Sequence, residues 1–311
     1  MLFLKSGLQT SIQDFGRTGT MHLGVSQSGA MDKTSLTLAN YLVGNQKDDP
    51  ALEITLIGPK IQFQTSMSIA ICGAQFDLYL NNDLVFNNES IDVVQGDILE
   101  FDKLINGARC YLAFSAQVDL DMQLGSLSTH ITARIGGYHN RQMKNDDQLH
   151  FLSTWNAPAK SLDNVFTQPF MGKYLLRCVE SVESHHFSKE KKDQFFNSKY
   201  KISQQSNRMG LRLDGKKIDD SKNLQITSSG LTQGSIQITP SGSPIISSVD
   251  GQTIGGYPRI ANIISADLPI LGQLKAHDTI SFELINCKQA SILFRQKQTW
   301  LNSILDAPDS K

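Results

Sequence analysis

The feature that most constrains this chain is its punctuation: short runs of alternating apolar and polar residues, each closed by a turn signal before the next begins. Phe76-Asp77-Leu78-Tyr79-Leu80 and Leu84-Val85-Phe86 flank the polar loop Asn81-Asn82-Asp83, the pattern of a hairpin. Residues 91–94, the turn Gln95-Gly96-Asp97, residues 98–101 and residues 110–114 then follow in quick succession. Four or five strands in so little chain are the material of a β-meander or a barrel. Helices are few. One is expected over residues 31–43, with Asp32 as N-cap and Gly44-Asn45 as the stop, and a second over about 289–305.

An internal echo supports a duplicated architecture. Asp97-Ile98-Leu99-Glu100-Phe101, Asp147-Gln148-Leu149-His150-Phe151 and Asp278-Thr279-Ile280-Ser281-Phe282 share the pattern Asp-x-aliphatic-x-Phe, a turn feeding a half-buried strand. Residues 52–58 and 236–242 also resemble one another, one in each half. We expect an N-terminal β-barrel unit over residues 1–170. A C-terminal barrel unit with a terminal helix is expected over residues 171–311.

Charge and cysteine usage exclude several functions. Twenty-nine Lys and Arg against thirty Asp and Glu give a net charge of -1, with no basic field to gather nucleic acid or anionic lipid. Cys72, Cys110, Cys178 and Cys287 form no C-x-x-C pair for zinc or thiol exchange. No run approaches ~18 apolar residues and no signal peptide is evident, so no membrane partner and a cytoplasmic location are expected. The chain also lacks G-x-x-x-x-G-K-[ST], G-x-S-x-G and H-E-x-x-H, which removes a P-loop, a serine-nucleophile elbow and a zincin site. No metal is expected. Met143-Lys144-Asn145 lacks the second methionine of a biotin-attachment hairpin, so no covalent biotin is expected on this chain.

Four stretches carry more polar and glycine residues than packing requires. The first, residues 7–17 and 24–32, offers Gln13, Asp14 and Arg17 within one loop, either as ligand contacts or as a turn holding a local Asp-Arg pair. In the second, Asn207-Arg208 ends a strand-like run, suiting bidentate capture of a carboxylate or phosphate, or else pairing with a structural Asp. The third places Gln237 and Thr239 on one face of a strand. The fourth, Asp250-Gly251-Gln252-Thr253-Ile254-Gly255-Gly256-Tyr257-Pro258-Arg259, is the richest. A carboxylate, an amide, a hydroxyl, two glycines and a phenol in eight residues can form a pocket wall.

At these stretches, and at residues 39–45, 52–55 with Gly58-Pro59, 206–210 and Asp267-Leu268, the chain resembles the biotin-dependent carboxyltransferase-like family known as allophanate hydrolase subunit 2. That family includes the C-type component of 5-oxoprolinase. The resemblance implies a mainly β protein of two cyclophilin-like β-barrel units with a few short helices. It implies protein partners, a subunit 1 (B-type) protein and a third 5-oxoprolinase subunit, and a small-molecule substrate. The reaction it implies is ATP-dependent opening of 5-oxo-L-proline to L-glutamate, with ATP bound by the complex. The implied alternatives are the carboxyltransferase component of a urea-carboxylase-like biotin system and a regulatory protein that binds its subunit 1 partner without catalysis.

A lactam hydrolase needs a carboxylate anchor, donors for a developing oxyanion and a group to orient water. On that need, Arg208 backed by Asn207 is expected to grip the substrate carboxylate. Gln252, Thr253, Gly255 and Gly256 are expected to hold the carbonyl with Gln237 nearby, Asp250 to activate water, and Tyr257 to close the pocket. Gln13, Asp14 and Arg17 are expected to complete it. The chain departs from the family pattern where Asp146 and His277 replace the usual glycine of a Gly-Asp turn, and where Asn140 precedes Arg141.

Overall fold

The computed structural model describes residues 1–162, 170–218 and 226–306. The described residues divide into two units, one formed by Met1–Thr18 and Ser28–Phe170, the other by Gly19–Gln27 and residues 171–306. Both are mainly β, with four α-helices among the described residues.

In the first unit, β1 (Leu2–Lys5), β2 (Gln9–Gln13), α1 (Lys33–Leu42), β3 (Ala51–Thr55), β4 (Lys60–Gln62), β5 (Met67–Leu80), β6 (Asp83–Val85), β7 (Ser90–Val93) and β8 (Ile98–Phe114) follow in order, then β9 (Ala116–Val118) and β10 (Phe151–Thr154). β1 to β8 form one eight-stranded sheet in the order β1-β4-β8-β3-β2, with β5 joining β6, β7 and β8. Alternation along β5 buries Phe76 and Leu78. They join Phe3, Ile12, Leu52, Ile54, Leu112 and Phe114 in one core, where each such side chain contributes roughly 1.5–3 kcal/mol by leaving water.

In the second unit, β11 (Lys173–Glu180), α2 (Lys189–Phe196), β12 (Tyr200–Ile202), β13 (Gly210–Asp214), β14 (Ser229–Gly230), β15 (Ser235–Ile238), β16 (Pro244–Ser247), β17 (Ile254–Gly255), β18 (Arg259–Ile263), α3 (Ile270–Gln273), β19 (Thr279–Leu284) and α4 (Cys287–Leu305) follow. Seven of the strands close a barrel, β11-β18-β15-β16-β13-β12-β19, sealed by the parallel pair of β19 and β11. β14 and β17 stand apart as a two-stranded ribbon. Leu176, Ile202, Leu211, Ile236, Ile246 and Phe282 fill the interior. The expected mainly β fold is therefore present, the second unit as a closed barrel and the first as a half-barrel sheet.

Local signals translate directly. Asp32 caps α1, accepting from Ser35 N at 3.0 Å, and Asn286 closes a capping box with Gln289 at the start of α4. The hairpin turn is two residues, Asn81 and Asn82 at φ 52° and 75°, with Asp83 already paired to Leu80; asparagine tolerates that backbone best among residues with a side chain. The runs 98–101 and 110–114, read as separate strands, are the two ends of β8.

The three Asp-x-aliphatic-x-Phe repeats form one turn three times. Asp97, Asp147 and Asp278 each accept, through a carboxylate oxygen, from the backbone N–H three residues earlier, at 2.8, 2.6 and 2.9 Å. The residue before each aspartate has positive φ: Gly96 98°, Asp146 67° and His277 74°. Asn140 is likewise at 57°. The departures from the family's glycine pattern thus sit on left-handed backbone. Among the described residues no helix is long and apolar enough to cross a membrane.

Candidate functional site

The polar residues of the first unit gather at the end of β2. The Asp14 carboxylate accepts from Gly16 N at 2.7 Å, Ser126 Oγ at 2.6 Å, Leu127 N at 2.7 Å and Ser128 Oγ. Gln13 is fully buried and donates through Nε2 to Ser11 Oγ at 2.9 Å and Thr129 O at 3.0 Å, while its buried Oε1 has no hydrogen-bond partner among the described residues. Arg17, 1% exposed, donates from Nη2 to Ser128 O at 2.6 Å. A Cβ on Gly136 would stand 2.2 Å from that same Nη2 and 2.4 Å from Ser128 O, so only glycine lets this strand of backbone lie against the guanidinium. Sequence reading found Gln13, Asp14 and Arg17 and missed Ser126, Ser128 and Thr129. More than 110 residues separate the two sets, and no local pattern links them.

A second buried polar network lies beneath α1. Glu53 Oε2 accepts from Met31 N at 2.9 Å and from the Tyr111 hydroxyl at 2.7 Å, and that hydroxyl accepts from Asp32 N at 2.8 Å. Arg109 Nε lies 3.7 Å from Glu53 Oε1. Burial first, then the charges of Glu53 and Asp32, push the Tyr111 phenol up, so it stays protonated and donating. The network fixes where the helix begins and with it the preceding loop.

In the second unit, Asn207, Arg208, Gln237, Asp250, Gln252, Thr253, Gly255, Gly256 and Tyr257 occupy the barrel and its ribbon. Asn207 Oδ1 accepts from Met209 N at 2.8 Å, an Asx turn that sets the tight reversal into β13. Arg208, 4% exposed, turns back onto Asp250, 3% exposed. Nε donates to Oδ2 at 2.8 Å and Nη2 to Oδ1 at 3.0 Å, and Asp250 N donates to Arg208 O at 2.9 Å. The structure thus brings together two residues for which separate roles were expected. Two of the five N–H donors of Arg208 go to Asp250, and each oxygen of the expected water-activating carboxylate accepts one of them.

The amides of Gln237 and Gln252 meet at Gly255. A Cβ there would lie 2.7 Å from Gln237 Nε2 and 3.5 Å from Gln252 Nε2, so the missing side chain is the space that lets two donors approach one backbone. Gln237 is 5% exposed and reaches Tyr257 O at 3.4 Å. Thr253 is buried, with its carbonyl accepting from Leu231 N at 2.8 Å, while Gln252 is exposed and Tyr257 is 42% exposed at the rim. Arg259, quoted in the fourth stretch without a role, pairs with Glu183, which sequence reading missed. Among the described residues no group of three or more His, Cys, Asp or Glu side chains is placed to hold a metal ion.

The comparisons with known proteins agree on one family. A family model described as carboxyltransferase domain, subdomain A and B, matches residues 23–284. The chain is 33% identical over 303 residues to the C-type component of 5-oxoprolinase from Haemophilus influenzae, covering 97% of both chains. It is 33% identical over 301 residues to the same component from Escherichia coli, covering 97% of this chain and 96% of the other. Among solved structures, Kluyveromyces lactis urea carboxylase superposes with a TM-score of 0.89 at 33% identity, over 97% of this chain and 29% of that one.

Proposed function

This chain belongs to the carboxyltransferase domain family, subdomain A and B, and from that membership we propose that it is the C-type component of an ATP-dependent 5-oxoprolinase. The observation that carries the reading is similarity along the full alignment: 97% of this chain matches 97% of a 5-oxoprolinase C-type component. The substrate is 5-oxo-L-proline and the product L-glutamate. The chain works in a cytoplasmic complex with a subunit 1 (B-type) protein and a third subunit, and ATP is consumed by that complex.

Resonance makes a lactam carbonyl a poor electrophile, and phosphoryl transfer from ATP to its oxygen makes attack by water feasible. The chain's own contribution is positioning and charge stabilisation. Gln237 and Gln252, converging at Gly255, supply side-chain N–H donors for the carbonyl region, with the backbone amides near Gly255 and Gly256 beside them. Thr253 carries the ribbon that presents them, and Tyr257 forms the rim. Arg208 and Asp250, bonded to one another, hold the loop from residue 250 onward in register. Asp14, with its four internal donors, plays the same structural part in the first unit, where Gln13 and Arg17 shape the loop. The test is 5-oxo-L-proline-dependent ATP hydrolysis with glutamate detection by the chain mixed with its partner subunits.

A second reading is favoured by one observation, the 0.89 TM-score to urea carboxylase. In that reading the chain is a carboxyltransferase component that takes a carboxyl group from a biotin carried on another protein. Urea-dependent turnover requiring a biotinylated carrier, and no glutamate formation, would select it.

A further inference from the structure

We propose that Glu183 is a positioning residue: through Arg259 it clamps the ribbon of β14 and β17 that presents Gly255 and Tyr257 beside Gln237. The reaction it serves rests on the reading above; the clamp itself rests on geometry. Glu183 sits in the bend after β11, outside both strands of the ribbon. Its Oε2 accepts from Arg259 Nε at 2.8 Å and from Arg259 N at 2.9 Å, and its Oε1 accepts from Arg259 Nη2. Glu183 thus holds Arg259 by both its backbone N–H and its guanidinium.

The rest of the guanidinium holds the ribbon. Arg259 Nη1 donates to Gly230 O at 2.6 Å and Nη2 to Ser229 Oγ at 2.8 Å, and Ser229 Oγ lies 3.4 Å from Glu183 Oε1. Ser229 and Gly230 are the whole of β14, and they pair with Gly255 and Ile254 of β17. Arg259 is also the register partner of Gln237 across β18 and β15. One ion pair thus ties the ribbon carrying Gly255 to the barrel strand carrying Gln237. A two-residue pairing has too few ladder bonds to hold itself in register, so an external clamp decides where Gly255 sits. Bidentate pairing gives that clamp direction as well as strength.

The test reads the clamp independently of turnover. In Glu183→Ala, backbone amide exchange at Leu231 and residues 254–257 is expected to accelerate about tenfold or more, with β13 and β16 keeping wild-type exchange. In the assembled complex the same variant is expected to raise KM for 5-oxo-L-proline about fivefold or more with kcat within about twofold, and Glu183→Gln, which keeps an acceptor for Arg259, to recover most of the loss. Unchanged exchange in the ribbon overturns the clamp. Acceleration throughout the barrel makes Glu183 a residue of general stability and also overturns it, as does a loosened ribbon with unchanged KM. A wild-type complex that forms no glutamate refutes the functional reading, and the exchange measurement then still decides the clamp.

Discussion

Arg208 and Asp250 form a closed, bidentate and almost solvent-free pair, 2.8 and 3.0 Å across its two hydrogen bonds, with the backbone of one bonded to the backbone of the other. A pair so arranged is costly to break from one side, because the remaining charge stays buried. Arg208→Ala and Asp250→Ala are each expected to lower unfolding free energy by about 3–5 kcal/mol, and the double variant to cost clearly less than their sum. Chemical denaturation of the four proteins measures this. Strict additivity would mean that the pair is not a unit.

The left-handed turns predict stabilising changes. His277 at φ 74° and Asp146 at φ 67° occupy positions where glycine carries no Cβ penalty. His277→Gly should stabilise by roughly 1 kcal/mol, and Asp146→Gly by less, since aspartate tolerates that region better. Urea midpoints decide the order. Loss of stability on His277→Gly would show that its contact with Gln204, 3.1 Å away, outweighs the backbone strain.

Those turns also show what a sequence makes legible. The three aspartates were visible because each bonds to a backbone N–H only three residues away, and the Asp32 cap for the same reason, whereas the Asn286 cap was not read and the last helix was started at about residue 289. The hairpin, read with a loop one residue longer than it has, and the two expected helices were equally local. The partners of Arg208 and Arg259 were not, lying 42 and 76 residues distant among many acidic alternatives. Ser126 and Ser128 around Asp14 carry no signal at all until the fold brings them there. Polar content thus marked the stretches, while the pairing of Arg208 with Asp250 became visible only in the fold.

The Tyr111 hydroxyl joins Glu53 to the first turn of α1. Tyr111→Phe removes one donor from a buried carboxylate and one acceptor from the Asp32 N–H, and should cost about 1–3 kcal/mol. Denaturant unfolding with the m-value unchanged would support this. A neutral substitution would mean that the network contributes nothing to anchoring the helix.

Two ion-paired carboxylates contribute a defined part of the response to acid. Burial alone would raise Glu183 and Asp147, but hydrogen bonds from Arg259 and Arg141 hold both below their ordinary values of 4.5 and 3.8. The unfolded chain therefore binds protons at a higher pH than the folded one. The stability that these pairs supply is present above those ordinary values and is lost as pH falls through and below them. The urea-midpoint difference between wild type and Arg259→Met should be constant from pH 7 to about 5 and shrink steadily toward pH 3. A difference independent of pH over that range would contradict the assignment.

The most direct measurement of the central claim is glutamate formation from 5-oxo-L-proline and ATP in an omission series: this chain alone, the partner subunits alone, and the complete mixture. Glutamate in the complete mixture only, stoichiometric with ATP hydrolysed, is the result predicted. Full-rate glutamate formation by the partners without this chain, or none from a stable complete complex, would contradict it.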